Sequence, residues 1–110
     1  MLGAYVSWHK IFTQNVNKTL RYSIGIRIDS LYAELVEIIS SAQFSQADGR
    51  LSQVEKAVTK NDTLKFMLLA LFELSGVSKK EYLDLSIQLE EVGRMLYGWK
   101  NNILKQNRPD

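Results

Sequence analysis

YLDLSIQLEEVGRMLYGWKNNI, residues 82–103, decides how the rest of the chain has to fold. Its apolar residues fall at Tyr82, Leu85, Leu89, Val92, Leu96, Trp99 and Ile103, in alternating steps of three and four. That alternation sets one side chain per turn on a single seam of a helix, with a period near 3.5 residues. At roughly 1.5 Å per residue the seam is about 33 Å long. A helix of that length cannot bury its seam alone, so the preceding chain has to supply partners. Its start is marked by Ser78-Lys79-Lys80-Glu81, a capping box in which Ser78 and Glu81 satisfy each other's amides.

Composition bounds the answer. The chain has 110 residues, 45% of them hydrophobic and 24% charged, the balance of one soluble domain with a real core. No apolar run reaches the ~18–20 residues that span a bilayer. The opening MLGAYVSWHK has neither a basic region ahead of its apolar residues nor a cleavage pattern, so no signal peptide is expected. Cysteine is absent, which excludes disulfides, thiolate metal sites and cysteine nucleophiles. The expected location is the cytoplasm.

The pattern predicts four helices, at about 2–16, 20–44, 50–75 and 79–104, with a frayed tail over 106–110. Tyr5, Trp8, Ile11 and Phe12 form the apolar side of the first, and Asn17 or Thr19 caps the second. The second carries Ile24, Ile28, Leu31, Leu35, Ile38 and Ala42 on its seam, flanked by Tyr32, Val36 and Ile39. SQADG, residues 45–49, reads as a polar turn. The third turns Val54, Ala57, Leu64, Leu68 and Leu71 to the core, and Ser75-Gly76 ends it with glycine expected in the left-handed position. Short turns make sequential helices antiparallel. The fold class is therefore all-α, an up-down-up-down four-helix bundle formed by the whole chain as one domain.

The second half of the third helix is apolar nearly all round, with Phe66 opposite the Leu64–Leu68 face. Phe66, Leu69 and Phe72, together with Leu83 and Ile87 on the far side of the fourth helix, read as a subunit contact. The net charge is only +2, but it is unevenly spread. Residues 1–28 contain no acid, and residues 94–110 contain Arg94, Lys100, Lys105 and Arg108 against Asp110 alone. An antiparallel bundle gathers Arg50, Lys56, Arg94, Lys100 and Lys105 at one pole. Two readings fit: a solvated surface with cations at a helix C-terminus, or a phosphate-binding patch, repeated as a ring if subunits assemble around an axis.

Catalytic constellations are scarce. His9 is the only histidine, which excludes the paired Glu-x-x-His ligation of di-iron bundles. Gly25, Gly93 and Gly98 are isolated within helices rather than set in a phosphate loop, which points to close helix approach or a subunit contact. Glu90 and Glu91 point about 100° apart and cannot converge on one substrate atom. No catalytic residue, metal or cofactor is expected, and the chain reads as a non-enzyme. Trp99 reads as core, and Tyr97 as the better exposed aromatic for stacking.

Three stretches, SIGIRID at 23–29, TLKFMLL at 63–69 and EEVGRMLYGW at 90–99, resemble a known family. It comprises four-helix-bundle proteins that include Avd, the accessory variability determinant of diversity-generating retroelements, with a sister group encoded in intervening sequences of bacterial 23S ribosomal RNA genes. The resemblance implies a ring-like homo-oligomer, a homopentameric barrel of bundles. It implies as partners a reverse transcriptase and its template RNA or DNA, bound through a basic surface to support mutagenic cDNA synthesis, and no membrane. By position, Arg27, Lys65 and Arg94 match basic positions of those motifs, while Gly93, Gly98 and Trp99 match structural ones. The nucleic-acid-binding set is then Arg27, Arg50, Lys56, Lys65, Arg94, Lys100 and Lys105. The chain departs from the Avd pattern in its modest net charge and in Asn15-Val16-Asn17-Lys18, where a proline often stands. The alternative is the sister group, acting as a protein-interaction scaffold.

Overall fold

A computed structural model describes residues 1–106, the side chain of Ala47 excepted. Helix α1 is Leu2–Gln14. Helix α2 covers residues 18–44 without a break, as an α-helical first turn Lys18–Leu20, a π-helical turn Arg21–Gly25 and the α-helix Ile26–Phe44. Helix α3 is Ala47–Glu73 and α4 is Lys79–Gln106. Of the tail expected over 106–110, Gln106 is helical and residues 107–110 lie outside the described ones. The four helices pack into a rod of 54 × 20 × 19 Å. Helix α3 runs against α2 on one side and α4 on the other, and α1 lies between α2 and α4. None of these helices is long and apolar enough to cross a membrane.

The α4 seam is buried as expected. Leu85, Leu89, Val92, Leu96 and Ile103 are buried, with Tyr82 and Trp99 half-buried at either end. All but Ile103 meet Ile28, Leu31, Leu35 and Ile39 of α2 and Leu64, Leu68 and Leu71 of α3 in one core. Each such side chain contributes about 1.5–3 kcal/mol by leaving water. A smaller cluster of Ala42, Val54 and Ile103 continues the core toward the α2–α3 turn.

Aromatic rings hold α1 in place. Tyr32 of α2 lies nearly parallel between Trp8 and Tyr5 of α1, at centroid distances of 5.7 and 6.0 Å, and Phe12 stacks on Trp8 at 5.3 Å. The Trp8 indole N–H donates to Asp29 at 3.0 Å, which satisfies the polar edge of a fully buried ring. The π turn in α2 faces this stack. A Cβ at Gly25 would lie 2.9 Å from the Leu20 carbonyl oxygen and 3.0 Å from the Phe12 ring, so glycine is required there.

Caps set the boundaries. Asn17 caps α2, its side-chain oxygen accepting from the Leu20 amide at 3.0 Å. The capping box at α4 forms as read: Ser78 N–H donates to Glu81 at 2.8 Å and Glu81 N–H donates to the Ser78 hydroxyl at 3.1 Å. Asn15 also donates to Glu81 at 2.7 Å, tying the end of α1 to the start of α4.

Two expectations at the turns need correction. The α2–α3 turn is only Ser45 and Gln46, and Asp48, Gly49 and Arg50 already belong to α3. The Gly49 and Arg50 amides both reach the Gln46 carbonyl, and Asp48 sits favourably in the first turn. At the other end of α3 the left-handed residue is Ser75, with φ 61°, not Gly76. Gly76 N–H bonds to Leu71 O and Ser75 N–H to Phe72 O, the Schellman pattern. Gly76 is needed for space instead, because a Cβ there would fall on the buried Leu71 side chain.

Candidate nucleic-acid and subunit interface

The seven cations expected to contact phosphate do not form one patch. Three are occupied within the bundle. Arg50 donates from Nε to the Ala42 carbonyl at 3.2 Å and from Nη2 to the Ser45 carbonyl at 2.7 Å, closing the C-terminus of α2. Lys65 pairs with Glu90 at 2.9 Å across α3 and α4. Arg27 lies 3.7 Å from Glu34, which Lys60 also holds at 2.9 Å.

These contacts show in the carboxyls. The Lys60 hydrogen bond holds Glu34 below the usual carboxylate range, and the Lys65 hydrogen bond does the same for Glu90. At Glu81 burial pushes the carboxyl up, but hydrogen bonds from Ser78 and Asn15 outweigh it and the net shift is downward.

Lys56, Arg94, Lys100 and Lys105 have no carboxylate within 4.0 Å among the described residues. Lys56 lies in the groove between α2 and α3, whereas Arg94 lies in the groove between α2 and α4. Arg94 and Lys105 are eleven positions apart and fall within about 20° of each other around α4, with Lys100 about 120° away. The cations without a carboxylate partner on α4 thus share its second half, where residues 92–106 contain no acid, but they stand on two of its faces rather than in one cluster. Tyr97 is half-exposed on the same stretch.

Of the five apolar residues expected at a subunit contact, four are on the surface. Phe66 is 74% exposed, and Leu69, Leu83 and Ile87 are partly so. Phe72 is not among them: it is half-buried, stacked on Tyr82 at 4.9 Å, and closes the α3–α4 seam. Phe44, at 86% exposure, is the most exposed large apolar residue described; it ends α2 on the side away from the buried Ala42.

The glycines separate into two kinds. Gly93 of α4 faces α3. A Cβ there would lie 3.2 Å from the Asn61 side-chain nitrogen. Its absence lets the buried Asn61 amide donate to the Leu89 carbonyl at 3.0 Å, inside an otherwise apolar seam. Gly98 has nothing within 4 Å of its Cβ position, and neither has Gly3. Both line an open groove of about 980 Å³ between α2 and α4, with Val36, Ile39, Met95 and Trp99 supplying apolar walls.

That groove exists because α1 has 13 residues and α4 has 28. Where α1 begins, the fourth place in the bundle falls vacant, and Met1 and Leu2 form its upper lip. Unequal apolar stretches were the available signal for it. Comparison of the chain with protein-family models, with curated proteins and with solved structures found no match.

Proposed function

We propose that the chain is a non-enzymatic, oligomeric accessory protein of a diversity-generating retroelement. In this reading it acts in the cytoplasm, assembles with further copies of itself into a ring of five, and binds a reverse transcriptase and its template nucleic acid. The family part of the reading rests on the resemblance of residues 23–29, 63–69 and 90–99. The observation that carries the nucleic-acid part is the second half of α4, where Lys100 and Lys105 have no carboxylate within 4.0 Å among the described residues, beside the half-exposed Tyr97. Cations without internal partners are the ones that neutralise phosphates and release counterions.

The test is binding of the purified protein to a structured RNA across a salt series. Affinity should fall log-linearly with salt, and Lys100→Glu with Lys105→Glu should abolish retention while helicity stays unchanged. No binding at low salt, or equal binding by the double variant, would overturn the nucleic-acid role. The second reading, a protein-interaction scaffold of the ribosomal intervening-sequence type, is favoured by the exposed apolar residues Phe66, Leu69, Leu83 and Ile87. It predicts no dependence on Lys100 or Lys105.

A further inference from the structure

We infer that the groove between α2 and α4 receives the first half of α4 from a second copy of the chain, so that subunits associate head to tail. The inference rests on the oligomeric part of the reading above and names the surfaces that carry it. The groove is helix-shaped, since its walls are the two helices between which α1 packs higher up the rod. Its lining is mainly apolar, with Ser40, Gln43 and Asn102 as polar members. Gly3 and Gly98 leave open space there that no internal packing uses, which allows an incoming backbone to come close. Arg94 is the one charged side chain among its described lining residues.

The complementary surface is on the same chain. Leu83 and Ile87 lie one turn apart on the exposed side of α4, flanked by Asp84 and Glu91. Neither acid has a cationic partner within 4.0 Å among the described residues, whereas Glu90 between them is taken by Lys65. The lengths agree: residues 83–91 and residues 94–102 each span about 12 Å of helix. An apolar stripe with acids thus matches an apolar groove with a cation, and each subunit carries both. Such a contact is heterologous, and it closes into a ring when the rotation between neighbours allows.

The experiment is the solution mass, by sedimentation equilibrium without nucleic acid, of the wild type, Ile87→Asp, Gly98→Trp and a 1:1 mixture of the two variants. Both positions are at the surface, and unchanged helicity by circular dichroism is the control. The wild type should associate and each variant should be monomeric. The mixture should form a dimer and nothing larger, because one intact stripe and one intact groove remain between the two chains. A monomeric wild type, variants that keep the wild-type mass, or a mixture that stays monomeric would each overturn the inference. A charge swap gives an independent arm. Arg94→Glu should weaken association at least tenfold, and adding Glu91→Arg to the same chain should restore it; a double variant no better than the single one overturns the pairing. RNA retention that survives loss of the mixed dimer would break this inference alone and leave the nucleic-acid reading standing.

Discussion

The two halves of the rod are built differently from the same three long helices. In the half nearest the Gly76 turn, α1 completes a four-helix cross-section, and its stacked rings Phe12, Trp8 and Tyr5 close the core with Tyr32. In the other half only α2, α3 and α4 remain, and the core narrows to Ala42, Val54 and Ile103 with Trp99 at its edge. The first half is stapled at its caps and carries the exposed apolar residues Phe66, Leu69, Leu83 and Ile87. The second exposes the groove, Lys100, Lys105 and Phe44. The two halves thereby present different kinds of surface along the axis of one small bundle.

Large-to-small substitutions should expose that asymmetry most strongly. Trp8→Ala removes the centre of the aromatic stack and should cost about 3–5 kcal/mol, whereas Ile103→Ala should fall near 2 kcal/mol, the low end for a core aliphatic. Urea denaturation compares them, and equal costs would mean that both halves are sealed alike.

Glycine substitutions give the next effect, with opposite signs. Gly25→Ala forces a methyl against the Leu20 carbonyl and the Phe12 ring and should destabilise by about 1–3 kcal/mol. Gly98→Ala meets nothing and should stabilise by about 0.5–1 kcal/mol. A stabilising Gly25→Ala would remove the constraint assigned to the π turn.

The caps come third. Ser78→Ala should lower stability by about 1 kcal/mol. Because the folded-state values of Glu34, Glu81 and Glu90 are all depressed, their contribution is present above the unfolded carboxylate range and is lost as pH falls through the folded values. Thermal midpoints should therefore hold steady from neutral pH to about 5 and drop below that. Glu81→Gln should flatten the drop. The smallest effect is expected from Lys65→Met, since its pair with Glu90 lies at the surface; urea denaturation should scarcely separate it from the wild type.

How much of this was legible beforehand depended on the range of the interactions involved. The α4 seam, the α2 seam and the Ser78–Glu81 box are written in spacing and in local hydrogen-bond chemistry, and they stand where the residues put them. The π turn was not legible, because it answers to Phe12 on another helix. Arg50 looked like a free cation, since a guanidinium that caps a neighbouring helix has the same sequence signature as one in solvent. Phe72 looked like surplus apolar surface until Tyr82 was placed beside it. Charge segregation along α4 could be read, but which cations were already engaged could not, because Glu34 and Glu90 reach them from other turns and other helices.

The buried amide of Asn61 fixes how this rod can deform. Its bond to the Leu89 carbonyl works at one register of α3 against α4, where Gly93 leaves the carbonyl open. Sliding by one turn, about 5.4 Å, would strand the amide among leucines at about 1–3 kcal/mol. Shear along this seam is therefore resisted by a directional bond as well as by the packed leucines, and the two helices keep step.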